Sequence, residues 1–559
     1  MAYNILGIHP GHNSSAAVVS DGKLVYYLEE ERLSRFKRDG NPFRAMIDIC
    51  SKYKINELVI GGTNEPRESH SLPWTGENSY IALVRKYYPE VKVTKANHLH
   101  HMLHSSCTFF NSGFNKASIL IIDGSGSRTD YNNISSWECE SLWEGNSKGI
   151  SLINKSSWSP IKTTIGNNNL DNTVTLTKTY EAVTKYLGWE GIEGGKTMGL
   201  APYGKQNANI PQLFKKGRGN RDIFTPYYPA GAFIDKENNP IFQRNHDPQE
   251  WHTNPSKLTE MEADLAWQIQ NDTQEEVAKL IEKSVELTGN KQICIAGGYG
   301  LNCVTNYWLK KRFPDLEIYH EAISHDGGTA IGAAYLGWKN YQPNTRFPKQ
   351  TSIYYGPEYT INQLESTLKN YNSMFNVYDI KPQNVAKLIA ENNIVTIFQG
   401  RSEAGPRALG NRSILYNPTD PNGKDYVNKV KNREWFRPFA GSVLQEKAHE
   451  WFDMAGLEES PFMMYAMDVW PDKQKTIQAI THVDGTCRIQ TVTEEQNPHY
   501  YKLIQEFEKI TDVPILFNTS FNLAGDPLVE TIEDALETML KSEMKYMYVP
   551  ELGYLLEKK

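Results

Sequence analysis

Two stretches of the chain open in the same way, and that repetition limits the fold more than any other feature. Tyr3 to Ile8 reads as a strand, Pro10-Gly11-His12-Asn13 as a turn and Ala16 to Val19 as a returning strand. Asp21-Gly22 then makes a hairpin turn into Leu24 to Leu28. The order recurs with Ala117 to Ile122 as a strand, Asp123-Gly124-Ser125-Gly126 as a turn and Ile134 to Glu138 as the return. Two copies of one strand-turn-strand unit predict a duplicated α/β domain whose glycine turns face a shared cleft. Further strands are expected at Glu57 to Ile60 and Gln292 to Ala296, and a long helix or helix pair over 258 to 288. The proline-bearing stretch Asn340 to Thr351 reads as the linker. Domains are therefore expected at 1–345 and 352–559, with about the last 15 residues packing back on the first.

The second region opens with the apolar run Ile394 to Phe398, a buried strand feeding a loop dense in arginine and glycine. Arg401, Arg407 and Arg412 fall within twelve residues, and Lys431, Arg433 and Arg437 follow. A guanidinium is a planar fork that fits phosphate and carboxylate oxygens in pairs, and glycine lets backbone approach a ligand. The loop reads either as a cradle for a nucleotide or acyl phosphate or as a solvated, salt-bridged surface loop. It has no Walker lysine, so an ordinary P-loop is excluded.

Charge and cysteine usage narrow the class. With 59 Lys+Arg against 66 Asp+Glu the formal charge is −7, which speaks against broad non-specific nucleic-acid binding. Six cysteines lie scattered without a CxxC pair, the pattern of reduced thiols in a cytoplasmic protein. The sequence contains neither a signal peptide nor an apolar run long enough to cross a bilayer.

Four local constellations carry chemistry. In NHLHHMLH, His100 and His104 fall one helical turn apart, a spacing shared by metal ligands and by ordinary helix faces. Asp123 and Asp326, at strand ends, would complete a two-His, two-Asp set suited to Fe(II), Mn(II) or Zn(II). His12 stands in the first turn, placed to act as a general base on a hydroxyl or to hydrogen-bond its own turn. Gly297-Gly298 with Asn302 resembles the adenosine-side loop of actin-like ATPases, and Asn518 to Asn522 would either orient a phosphate or form a capped turn.

The pieces then join. GHNSSAA (11–17), EEER (29–32), HHMLH (100–104), DGSG (123–126), GKTMGLAPYG (195–204), GGYGLN (297–302) and DGGTAIGAA (326–334) occur in one order. GPRALGNRSIL (405–415), KNREWFRPFA (431–440), HVDGTCRIQTV (482–492) and NTSFN (518–522) continue it. The set resembles the O-carbamoyltransferases of nodulation-factor and antibiotic biosynthesis, the NodU/CmcH type, from end to end. That resemblance implies an actin-like, TsaD-like first domain followed by a YrdC-like α/β domain. It implies that the second domain uses carbamoyl phosphate and ATP, with Mg2+, to form carbamoyl-adenylate. The first would transfer the carbamoyl group to an acceptor hydroxyl.

By motif, Arg407, Arg412, Ser413, Lys431, Arg433, Arg437, Asn518, Ser520 and Asn522 would bind carbamoyl phosphate and nucleotide phosphates. His100, His104, Asp123 and Asp326 would hold a divalent metal, iron in relatives, and His12 would deprotonate the acceptor. Lys196, Gly297, Gly298 and Asn302 would line the adenylate in the transfer domain. Asn13 follows the base where the family has aspartate, which leaves the orienting partner of His12 open.

The expected acceptor is a hydroxylated sugar or secondary metabolite, with a hydroxymethylated base in DNA as the alternative. Variable loops at 63–80 and 205–257 are expected to shape its pocket, and a homodimer is a further expectation. A tRNA threonylcarbamoyl-type enzyme and a non-catalytic actin-fold binding protein fit the motif set less well.

Overall fold

The computed structural model describes residues 2–63, 78–131, 133–225, 232–233 and 249–559. It contains two compact units, Met1–Ser34 with Arg38–Gln350, and Arg35–Lys37 with Thr351–Lys559. Parts of both expected acceptor loops, 64–77, 226–231 and 234–248, lie outside the described residues.

In the first unit the duplication is explicit in strand order and direction. One sheet runs Lys23–Glu29, Ser15–Ser20, Asn4–His9, Glu57–Ile60, Lys92–Lys95. Ser15–Ser20 is antiparallel to both its neighbours, and the last two strands run parallel to Asn4–His9. The other sheet repeats this with Gly149–Trp158, Ile134–Asn146, Ala117–Ile122, Gln292–Ala296 and Glu317–His320. Thr163–Ile165 and Asn168–Asp171 extend it on the Gly149 side, and Arg128–Tyr131 pairs with Ile134–Asn146. This is the duplicated α/β architecture expected of an actin-like domain. The opening strand is buried at every position rather than alternating, as a central strand covered on both faces must be.

Close backbone approach then gathers the chain ends of these sheets. The helix Gly328–Tyr341 lies on the strand Asn4–His9 at Gly7, where an added Cβ would stand 2.1 Å from the Ala330 carbonyl oxygen. The same helix meets His100–Ser112 at Gly332, where a Cβ would stand 1.9 Å from the Leu103 carbonyl oxygen. Only glycine permits either approach. The long helix is Glu260–Thr288, opened by a Thr259/Glu262 capping box and closed by left-handed Gly289.

The second unit is built on one mixed nine-stranded sheet. Its order is Phe375–Asp379, Tyr554–Lys558, Tyr546–Val549, Val395–Phe398, Arg412–Tyr416, Ile515–Ser520, Ala440–Leu444, Thr486–Val492, Ala466–Asp468. The arginine loop joins two antiparallel neighbours, Val395–Phe398 and Arg412–Tyr416. The final strand Tyr554–Lys558 is interior to this sheet, paired on both sides. Its ladder bonds hold the C-terminal strand within the second unit's sheet.

All six cysteines are unpaired and buried. Among the described residues no helix is long and apolar enough to cross a membrane.

Candidate functional site

The helix-on-strand packing brings His100, His104, Asp123 and Asp326 together, with one ligand atom from each within 4.8 Å of the others. The two imidazoles face each other through Nε2 at 3.2 Å. His100 Nε2 lies 3.3 Å from Asp123 Oδ2, and Asp326 Oδ1 lies 3.6 and 3.7 Å from His100 and His104. Asp123 is steadied by the Gly298 N–H at 3.0 Å. The loop bearing that N–H turns at Gly297 (φ 90), where a Cβ would meet the Ile122 carbonyl at 2.4 Å.

Burial alone would lower His100, but Asp326 and the contact with Asp123 outweigh it and hold the ring up at about 10. Burial and mutual repulsion push the two carboxyls up, yet the histidines pull both below the usual carboxylate range. Two nitrogens and two carboxylates converging on one buried point form a donor set that fits a first-row divalent cation. Lone pairs aimed at one another are compensated by such an ion or by a proton.

His12 is half exposed, with Nε2 3.3 Å from Asp326 Oδ2. Its Nδ1 lies 3.1 Å from the Asn13 side-chain oxygen. An amide oxygen only accepts, so Nδ1–H donates, and Nε2 is the ring nitrogen that faces Asp326. Asn13, in the left-handed region (φ 61), supplies the orienting contact that the sequence left open.

The residues expected to line an adenylate divide. Lys196, on the helix Gly194–Leu200, pairs with Glu193 at 3.1 Å and lies over the Trp189 ring. Asn302 is instead an internal tie. It caps the helix Cys303–Arg312 by accepting the Thr305 N–H at 3.0 Å, and its amide exchanges hydrogen bonds with Gln270.

In the second unit the turn Asn518 to Asn522 closes on Lys431. The Lys431 ammonium donates to the Ser520 carbonyl, to the Asn522 carbonyl at 2.8 Å and to Asn522 Oδ1 at 3.0 Å. Ser520 Oγ donates to Asn522 Oδ1 at 2.6 Å, and Asn518 donates to Ser442 Oγ at 2.9 Å. Burial first, then Arg433 and Arg437, push Lys431 well below the usual lysine value. Arg433 is lowered in the same way by burial, Arg437 and Arg488, with Glu434 opposing. Basic groups are thus concentrated here, with Glu434 beside Arg437 at 3.5 Å, and a bound anion would stabilise their charged forms.

Arg412 and Ser413 do not join this cluster as open donors. Arg412 is fully buried and donates to the carbonyls of Gln399, Asn411, Gly400 and Glu530, with its guanidinium 3.8 Å from the Phe398 ring centre. Ser413 Oγ accepts the Gly410 N–H at 3.0 Å. Both brace the loop rather than face a ligand, while Arg407 sits half-buried upon it. Arg488 was passed over in the sequence, although a single arginine in the otherwise apolar and neutral strand Thr486–Val492 was a usable signal.

Comparison with known proteins agrees with this organisation. The family described as carbamoyltransferase N-terminus matches residues 79–335, and that described as carbamoyltransferase C-terminus matches 386–558. An uncharacterized protein of Synechocystis is 32% identical, over 97% of this chain and 95% of its own. Nodulation protein NolNO of Sinorhizobium fredii is 30% identical, over 98% of this chain and 79% of its own. Full-length HypF, solved in a phosphate- and nucleotide-bound form, aligns over 61% of this chain and 56% of its own, at 11% identity and a TM-score of 0.38. The fold is that of a two-unit α/β enzyme. The chain belongs to the carbamoyltransferase family and is a carbamoyl-transferring enzyme.

Proposed function

We propose that the chain is an ATP-dependent O-carbamoyltransferase working in two stages. Carbamoyl phosphate is opened by water to carbamate and phosphate beside Lys431, Arg433 and Arg437. A carbamate oxygen then attacks the α-phosphorus of ATP, displaces pyrophosphate and gives carbamoyl-adenylate. In the first unit an acceptor hydroxyl loses its proton to His12 Nε2 and attacks the carbamoyl carbon, and AMP leaves.

The observation that carries this reading is the basic cluster of buried Lys431 with half-buried Arg433 and Arg437, only the last of which is paired with a carboxylate among the described residues, Glu434 at 3.5 Å. Preorganised donors of this kind stabilise phosphate charge without reorganisation. In the first unit, His100, His104, Asp123 and Asp326 would hold a divalent cation, which would neutralise the adenylate phosphate as it departs. The Gly298 N–H reaches Asp123 of that centre, so the Gly297-Gly298 turn would receive the nucleotide beside it, with Lys196 assigned to the nucleotide by its motif. The acceptor is taken to be a sugar or secondary-metabolite hydroxyl.

The test is AMP release from ATP and carbamoyl phosphate, followed by mass spectrometry on a hydroxyl panel that includes sugars, aminoglycosides and DNA bearing 5-hydroxymethylcytosine. A carbamoyl mass gain on a small molecule supports the reading. A gain on the DNA alone moves the acceptor to the polymer. Adenylate formation that ignores carbamoyl phosphate overturns the chemistry.

A further inference from the structure

His9, the last residue of the opening strand, has no part in the assignments above. Its ring is buried, 1% exposed, and its Nε2 has no hydrogen-bond partner. The other ring nitrogen fixes its tautomer. Thr329 Oγ1 lies 2.7 Å from the Asp326 carbonyl oxygen and 2.8 Å from His9 Nδ1. A hydroxyl has one proton and a carbonyl only accepts, so Thr329 donates to Asp326 and accepts from His9 Nδ1–H. The neutral ring therefore carries a bare lone pair at Nε2.

That lone pair faces Asp326 Oδ2 at 3.7 Å, with no proton between two acceptors. The oxygens of Asp326 are divided, Oδ1 toward His100 and His104 and Oδ2 toward buried His9 at 3.7 Å and half-exposed His12 at 3.3 Å. Two donors on one first-row cation, each about 2.1 Å from it, lie about 3.0 Å apart at a right angle and about 4.2 Å apart when opposite. The His9–Asp326 spacing falls inside that range. The His9 and His100 ring centres, 6.0 Å apart, match two imidazoles on one ion. Ser15, the antiparallel partner of His9 on the neighbouring strand Ser15–Ser20, ties that strand to the same place, its Oγ donating to the Gly327 carbonyl at 2.8 Å.

We propose that His9 is a further ligand of the cation held by His100, His104, Asp123 and Asp326, giving a centre with three imidazoles. The inference rests on the cation reading of that cluster. It also gives the Thr329 hydroxyl a function, since it holds His9 in the tautomer that leaves Nε2 open.

The experiment strips the full-length chain with chelator, adds one equivalent of Cu(II) and counts coordinated nitrogens from the hyperfine splitting in electron paramagnetic resonance. Three are expected in the unaltered chain, three in His12→Asn and two in His9→Asn, whose amide N–H can still reach Thr329. Loss of an outer partner alone weakens metal binding by roughly 10–100-fold, so His9→Asn should lower Cu(II) affinity by about tenfold or more. Two nitrogens on tightly bound copper in the unaltered chain would remove His9 and leave the cation reading standing. Failure to bind copper would overturn both. A count that falls in His12→Asn but not in His9→Asn assigns the third nitrogen to His12 and overturns the proposal. Should His9→Asn not fold, three nitrogens retained in His12→Asn still support it, and two overturn it.

Discussion

The two clusters are opposite solutions to one problem, the burial of polar groups with incomplete partners. In the first unit, lone pairs are gathered: His100 and His104 face nitrogen to nitrogen, with two carboxylates beside them. In the second, positive groups are gathered: Lys431 is fully buried among neutral acceptors, with Arg433 and Arg437 near it. A buried charge without a counter-charge is costly, so each cluster is stable at the expense of the rest of its unit until it meets its ligand. One asks for a cation, the other for an anion. On the proposed two-stage reaction, the two clusters would give its stages separate electrostatic requirements and separate residues.

The strongest attempt to break this separation is a crossed pair of variants. Lys431→Met should slow carbamoyl-phosphate-dependent AMP and pyrophosphate formation by about 10²–10³-fold, the cost of losing one preorganised donor. It should also cost about 1–3 kcal/mol of stability, because the turn acceptors are left unsatisfied. Metal content should not change. His104→Asn should do the reverse, abolishing tight metal binding while phosphate and nucleotide binding persist. A variant that removes both functions would show that the clusters act as one.

Proton linkage sharpens the contrast, because the two ligands should move protons in opposite directions. Without a cation, the carboxylates hold the His100 ring up at about 10, so it carries a proton at neutral pH. Its stabilisation is full below the ordinary histidine value of 6.5 and is lost as the pH rises toward about 10. A cation needs that lone pair, so its binding should release about one proton at pH 7. Lys431 is depressed in the absence of anion and phosphate favours its charged form, so any proton exchanged on phosphate binding should be taken up rather than released. Titration calorimetry in buffers of different ionisation enthalpy reads both signs, and two like signs would refute the contrast.

A smaller effect separates the arginines of the second unit. Inorganic phosphate at about 100 times its Kd should stabilise the protein by about 2.7 kcal/mol, seen as a higher Tm, and Arg437→Gln should remove most of that gain. Arg412→Lys should lower stability by about 2–4 kcal/mol, since one ammonium cannot replace a fork spread over four carbonyls. Its phosphate affinity should stay within about twofold, because the side chain is braced inward. A large loss of phosphate affinity in Arg412→Lys would return that residue to the site.

These arginines also mark where sequence reading worked and where it failed. The duplicated strand-turn-strand units were legible because turn chemistry and buried strands are local signals, as at Asp21-Gly22 and Ala117–Ile122. Strands such as Gly149–Trp158, partly exposed and rich in serine and asparagine, gave no such signal. Convergence of the His/Asp set was legible as residue types, but its means was not. Gly7 and Gly332 bring helix to strand and helix to helix through contacts over 300 and over 200 residues away in sequence. Residue type also told nothing of direction. Arg412 and Arg433 look alike in sequence, yet one points into carbonyls and the other lies over the Phe439 ring and reaches Thr519 Oγ1. His9 escaped notice because its meaning depends on a single proton on Thr329.

The mildest test concerns Asn302, which motif matching put against the adenylate and the structure puts in a cap. Its oxygen accepts the Thr305 N–H at the start of Cys303–Arg312, and its amide is paired with Gln270. Asn302→Asp retains the cap acceptor and the bond donated by Gln270 but loses the N–H given to the Gln270 side-chain oxygen, so the change should cost about 1 kcal/mol. Asn302→Leu removes the cap and strands Gln270, for a loss of about 1–2 kcal/mol. If Asn302 only braces the loop, nucleotide affinity should follow stability in both variants and remain near the original in Asn302→Asp. A tenfold loss of nucleotide affinity in Asn302→Asp at unchanged Tm would mean that the amide N–H reaches the nucleotide directly. The loop after Gly297-Gly298 would then belong to the binding surface rather than to its support.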